Sequence, residues 1–346
     1  MRIAVIYFAT ERGGGLSILN DFYEYIKARD KENEWIFLLN DKYIEETERI
    51  KIKLVQKYKK SWFKRLKFDY IDGKKIIKDL NIDYILNFQN TMIRGVKKKQ
   101  ALYIHQSLPF QNIKKFSFLK KEERKLAIYQ NLIGYLIKNS IKKCDNIIVQ
   151  TNWMKKSILS KNLCKEKNIK VLSPKINIEV DNSIYEYKNN SFFYPAGDDI
   201  YKNHRIIDKA IKMLDKNLEF EVAFTLEEKK EYSEKIKWLG NIQRKEVYKR
   251  FKSEVLIFPS YIETYGLPLA ECRVSGGIIL AADTEFSREI LDGYENAYFF
   301  KYNNPKELSK LMEQVIEEKI IKKEVVGINN LDSCNTWADM VDIILN

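Results

Sequence analysis

Two glutamates, Glu263 and Glu271, bracket a glycine and a proline in the stretch ETYGLPLAE. The stretch follows an apolar run, EVLIFPS, so Ser260 to Gly266 reads as a loop leading from a strand into a helix. Pro268 then falls in the first helical turn, where its missing N–H costs nothing. The backbone N–H groups around Tyr265, Gly266 and Leu267, with Thr264 just before them, would point out of the helix start. Together with the helix dipole they form an anion site, typically worth about 0.3 to 2 kcal/mol for a negative group. Glu263 would sit in the loop on one side of the anion, and Glu271 about one turn, roughly 4.5 Å of rise, beyond Pro268. Carboxylates cannot neutralise an anion, but they accept hydrogen bonds from sugar hydroxyls. The constellation therefore predicts a ligand with phosphate in the middle and sugars on both sides, a nucleotide-sugar. The plainer alternative makes Glu271 a first-turn acid that complements the dipole and Glu263 a surface loop residue.

Lys202, in the loop YKNH, has the chemistry that departure of a nucleoside diphosphate requires: a positioned cation that stabilises developing negative charge without a metal. Of the two histidines, His105 ends the apolar run ALYIH and could hydrogen-bond a reacting sugar, the alternative being a satisfied core histidine. His204 reads as a structural residue at a helix start. Gly13, Gly14 and Gly15 follow the first strand and would let the backbone approach a phosphate, although the spacing of a dinucleotide fingerprint is missing. Asn152 and Lys155, after IIVQT, are further candidates for lining the site. The four cysteines are widely spaced and form no zinc or disulfide pattern, which fits a reduced compartment.

These residues need elements to hold them at strand ends. Short apolar runs alternate with amphipathic segments, the pattern of βα units around a parallel sheet, and the series occurs twice. Strands are expected at RIAVIYF, EWIFLLN, DYILNF, ALYIH and NIIVQT, then at SFFYPA, LEFEVAF, EVLIFP, GGIILAA and AYFF. Helices are expected over 16–29, 119–140, 203–215, 244–252, 267–275 and 305–318. A length of 346 residues also suits about two domains. The fold class is α/β, with two Rossmann-like doubly wound lobes that face each other across a cleft at their strand ends. The expected boundaries are 1–172 for the first lobe, 173–190 for a linker, 191–330 for the second lobe and 331–346 for a terminal helix packing on the body. In the last segment Asn335 and Thr336 are candidate caps, and Trp337, Met340, Ile343 and Ile344 share one face.

Charge is distributed unequally. Residues 1–173 hold 37 Lys and Arg against 18 Asp and Glu, whereas residues 174–346 hold 24 against 30. The segment KIKLVQKYKKSWFKRLK, residues 51–67, has eight basic residues, no acid, and Trp62 and Phe63 among them. It suits an anionic membrane surface, where each basic side chain contributes about 1 kcal/mol, or else a solvated face of a lysine-rich chain. No helix-turn-helix, zinc finger or aromatic RNA-binding strand appears, so nucleic acid is not an expected partner. No run is long enough to span a bilayer, and the N-terminus reads as a first strand, not a signal peptide. The expected location is the cytoplasm, peripheral at the inner face of the membrane.

IFPSYIETYGLPLAECRVSGG resembles the signature of retaining glycosyltransferases of family 4, with its two glutamates and the Gly-Leu-Pro between them. The resemblance continues in YIHQSLPF, IIVQTNWMKKSI, YPAGDDIYKNH and WLGNIQRKEVYKRF. It implies the GT-B fold, a donor held mainly by the second lobe, an acceptor bound by the first and no catalytic metal or other cofactor. It implies that Glu263 contacts the donor sugar, Glu271 the ribose and Lys202 the diphosphate, that Gly240 and Ile242 bracket the nucleobase, and that His105 contacts a sugar. The chain departs from the family at Ala196, where many relatives carry arginine, and Arg205 is a candidate substitute. The function implied is transfer of a sugar to a hydroxyl of a glycan or lipid-linked acceptor in bacterial surface polysaccharide assembly, such as capsule, O-antigen or lipopolysaccharide. Rival functions are a nucleotide-sugar epimerase, which would convert donor without acceptor, a basic nucleic-acid-binding protein, and a glycoside hydrolase. The hydrolase would use two carboxylates without needing Lys202 or an anion site.

Overall fold

The computed structural model describes residues 1–9, 14–176, 185–324 and 337–345. The chain divides into two compact units, Met1–Lys175 with Ser333–Asn346, and Ile176–Asp332. Gly13, Asn335, Thr336 and residues 177–184 of the expected linker lie outside the described residues.

The first unit is built on seven parallel strands: β1 Arg2–Ile6, β2 Glu34–Leu39, β3 Ile50–Leu54, β4 Tyr84–Asn87, β5 Lys99–Tyr103, β6 Asn146–Val149 and β7 Ile169–Val171. Their order is β3-β2-β1-β4-β5-β6-β7, and every pairing is parallel. The second unit holds six: β8 Ser191–Tyr194, β9 Glu221–Phe224, β10 Ile236–Trp238, β11 Val255–Phe258, β12 Ile279–Ala282 and β13 Ala297–Phe300. Their order is β10-β9-β8-β11-β12-β13, again all parallel. In each sheet the order reverses between two central strands, β1 and β4 in the first and β8 and β11 in the second. Open parallel sheets bind ligands beyond the carboxyl ends of such strands.

The ten strands expected from apolar runs are all present. Three further strands, IKIKL in β3, IKV in β7 and IKW in β10, are interrupted by lysine and lie at sheet edges. An edge strand is covered on fewer sides and tolerates outward-facing charge, so its apolar signal is weak. The helix expected over 119–140 is divided into Arg124–Ile128, a wide turn Tyr129–Ile133 and Gly134–Ile141. A Cβ at Gly134 would stand 3.0 Å from Pro109, so glycine lets this helix approach the preceding loop.

Helix Trp337–Leu345 returns to the first unit. Met340, Val341 and Ile344 join a core that includes Ile18, Phe22, Trp35 and Tyr103, with Trp337 5.3 Å from Phe22, ring to ring. The spacing i, i+3, i+4, i+7 puts all four on one face, which is why the segment packs there.

The basic segment 51–67 does not form one continuous solvated surface. Its start is β3, and its end is helix Trp62–Lys67, in which Arg65 is half-buried. Arg65 donates to the Gln89 carbonyl, lies 5.1 Å over the Trp62 ring and is attracted to Asp69. Burial pushes the Asp69 carboxyl up to about 6, with Arg65 and Thr91 opposing that rise. Phe63, in the same helix, is 85% exposed.

Candidate functional site

The second sheet brings two loops together at its reversal point. After β8 the chain runs through Pro195 and Ala196 to a short turn, Ile200–Lys202, and then into helix His204–Ile211. After β11 it runs through Ser260 and Glu263 to helix Leu267–Val274. Asn203 joins the two: at φ +61° it takes the left-handed conformation asparagine tolerates, and its amide donates to the carbonyls of Pro259 and Tyr302 at 3.3 and 2.8 Å. The Tyr261 N–H donates to the Tyr201 carbonyl at 3.2 Å.

Lys202 and Glu263 therefore meet directly. Lys202 Nζ donates to Glu263 Oε1 at 2.6 Å, and Ser260 Oγ donates to the same oxygen at 2.7 Å. Both members of the ion pair are largely shielded, their side chains 20% and 16% exposed. The ammonium also lies 5.6 Å over the Tyr201 ring. Burial and the Glu263 charge raise the Tyr201 hydroxyl far above its usual range, so it remains protonated. The result is a cation held in place by a carboxylate whose second oxygen accepts no hydrogen bond among the described residues.

Helix Leu267–Val274 begins as its sequence demands. Gly266 is its N-cap at φ +91°, no side chain caps it, and Pro268 lies in the first turn. A Cβ at Gly266 would meet Leu269 at 3.3 Å as well as straining the backbone. The outward-facing N–H groups are thus left to solvent or an anion. Tyr265 is buried, which raises its hydroxyl to about 12, so the residue packs the loop and offers a ligand only its backbone.

Glu271 is nearly buried one turn into this helix. Arg244 Nη2 donates to its Oε1 at 2.9 Å and the Tyr248 hydroxyl to the same atom at 3.2 Å. Arg244 and Tyr248 stand i, i+4 on helix Arg244–Ser253, so one face delivers both. Burial would lower the Arg244 pKa, but Glu271 and Tyr248 outweigh it and raise it. Gly240, at φ +60°, turns the chain after β10, and a Cβ there would stand 3.3 Å from Glu227. Ile242 follows, half-buried, just before the helix that carries Arg244.

Arg205, the candidate substitute for the arginine missing at Ala196, is exposed and hydrogen-bonds Tyr232. The cation beside Glu271 is instead Arg244. Neither Arg244 nor Ser260 was legible as a site residue, because each depends on a partner from another element. His204 starts its helix buried, 4.8 Å from Tyr194 and 5.0 Å from Phe224 ring to ring.

In the first unit, His105 lies two residues beyond β5. Its ring sits 4.4 Å from Tyr103 and 5.8 Å from Phe88, and its buried Nε2 has no hydrogen-bond partner among the described residues. Burial lowers its pKa to about 3, so the imidazole is neutral at physiological pH. Gly14 and Gly15 begin helix Gly14–Arg29 after β1. Asn152 starts helix Asn152–Ser160, where Lys155 pairs with Glu166 at 3.1 Å.

Residues 186–330 match the model of the family described as glycosyl transferases group 1. No curated protein sequence matches significantly. Among solved structures, HepE from Anabaena in complex with UDP-glucose is 13% identical with a TM-score of 0.67, covering 99% of this chain and 100% of its own. Sucrose-phosphate synthase from Thermosynechococcus elongatus is 13% identical, with a TM-score of 0.72 and coverage of 99% and 97%. The lipopolysaccharide outer core galactosyltransferase WaaB is 15% identical, with a TM-score of 0.67 and coverage of 100% and 99%. The chain has the GT-B fold of these structures, and residues 186–330, within its second unit, match the glycosyl transferases group 1 model.

Proposed function

We propose that the protein is a retaining glycosyltransferase that moves a sugar from a nucleotide-sugar to a hydroxyl of a glycan or lipid-linked acceptor. The observation that carries this reading is the uncapped helix start at Gly266, with Glu271 behind it and the Lys202–Glu263 pair in the adjoining loops. The helix start and Lys202 receive the diphosphate. Glu271 accepts from ribose hydroxyls, Glu263 and His105 contact sugar, and the loop at Gly240 and Ile242 brackets the base. The leaving phosphate assists deprotonation of the acceptor hydroxyl on the same face, so the reaction needs neither an enzymic nucleophile nor a metal. WaaB is named for the lipopolysaccharide outer core, which favours bacterial surface polysaccharide as the product class. The basic first lobe and the exposed Phe63 suit a peripheral position on an anionic membrane at its cytoplasmic face.

Thermal shift against UDP-, GDP-, dTDP- and CMP-sugars tests the donor class, and one of them is expected to stabilise the protein. Glu271→Ala and Lys202→Ala should each lower kcat/KM at least tenfold, about 1.4 kcal/mol or more. Unchanged kinetics in both variants would overturn the assignment.

A further inference from the structure

A polar cavity lies wholly within the first unit. A pocket of about 620 Å³ opens between the carboxyl end of β3 and helix Gly73–Asp79. Lys53, Lys57, Lys67 and Lys75 line it together with Asp72, Asp79 and Tyr58. Four lysines against two aspartates leave a local charge of +2. Asp72 is already answered: Tyr58 donates to it at 2.8 Å, Lys67 approaches to 3.5 Å, and these contacts hold its carboxyl below the usual range. Tyr58 is pushed up to about 12 by burial and Asp72, so it stays a donor. Lys53 and Lys75 have no carboxylate at ion-pair distance among the described residues. Leu54, Val55 and Ile76 form an apolar wall beside the cations.

We propose that this pocket binds an organophosphate, its phosphate between Lys53 and Lys75 and its organic part along Leu54, Val55 and Ile76. Three observations select that class. A phosphate monoester carries about −1.5 to −2 at pH 7, matching the local charge. Lysine ammonium groups are point charges that suit the many-sided phosphate oxygens, whereas a carboxylate is better served by a planar arginine fork. The volume falls in the roughly 300 to 1,000 Å³ range of small-molecule sites, larger than bare phosphate needs. The edge strand β3 carries the site because its lysines need no cover on their open side. A soluble metabolite and a lipid head group both supply such a phosphate, and the chemistry is shared. The assignment does not depend on the donor site of the second lobe.

Calorimetric titration of the full chain with glycerol 3-phosphate, and sedimentation with vesicles of equal parts phosphatidic acid, itself a phosphate monoester, and phosphatidylcholine, test it. The Lys53→Gln/Lys75→Gln variant is expected to weaken one of these at least tenfold while keeping its melting temperature and its response to nucleotide-sugar. Loss with glycerol 3-phosphate assigns a soluble ligand, and loss with vesicles alone assigns a head group. Lys202→Ala should leave either interaction unchanged, which separates this pocket from the donor site. Asp79→Asn, which removes a negative wall, should tighten binding. Failure of the wild type to bind either probe, or equal binding by the double variant, would overturn the proposal.

Discussion

Glu263 holds Lys202 at 2.6 Å, so the cation proposed to receive the leaving diphosphate is oriented and partly neutralised by its own carboxylate partner. The pair gives Glu263→Ala a split signature. Freeing the ammonium should tighten nucleoside diphosphate about threefold or more, while loss of the sugar contact lowers kcat about tenfold, read by product inhibition alongside turnover. His105 carries a different message. Its folded pKa, lowered to about 3 by burial, lies below the unfolded value, so the folded state binds fewer protons in between. Its contribution to stability is complete above about pH 6.5 and declines as pH falls toward 3. The ring stays neutral, and its NMR signals are expected to stay constant over roughly pH 5 to 8. A titration midpoint near 6.5 would contradict that burial.

At the scale of elements, the helix start at Gly266 depends on a backbone conformation that L residues avoid. Gly266→Ala is expected to cost roughly 1 to 2 kcal/mol from the φ alone, with the 3.3 Å approach to Leu269 adding to it, measured by urea unfolding. Helix Trp337–Leu345 works by burial. Met340 is fully enclosed in the first unit's core, so Met340→Ala should cost about 2 to 5 kcal/mol and destabilise that unit specifically. The helices that carry Arg244 and Glu271 illustrate what their sequences leave open. Each is legible by its periodicity, yet nothing within either stretch states that Arg244 reaches Glu271, because the contact spans 27 residues.

For the whole molecule, the inequality of charge between the halves matters most. The first 173 residues carry a net +19, an attraction to anionic surfaces that falls with ionic strength. Replacing the exposed Lys51, Lys57, Lys60, Lys64 and Lys67 with Gln is expected to abolish sedimentation with anionic liposomes at low salt; undiminished sedimentation would remove that role from the segment. The sequence by itself determined the two βα series, because strands buried on both faces must be continuous apolar runs. It also determined the uncapped helix start, because Gly266 and Pro268 act through local backbone geometry. Tertiary structure alone decided the rest. It added the three lysine-bearing edge strands, whose open sides relax the apolar requirement, and placed the terminal helix on the first unit. It turned Arg65, within what reads as a solvated basic run, toward the Gln89 carbonyl and the Trp62 ring, and it put Arg244 beside Glu271 and Lys202 against Glu263. Those partners come from separate elements, and the distance between elements is set by how sheets order and pack, which no local spacing encodes.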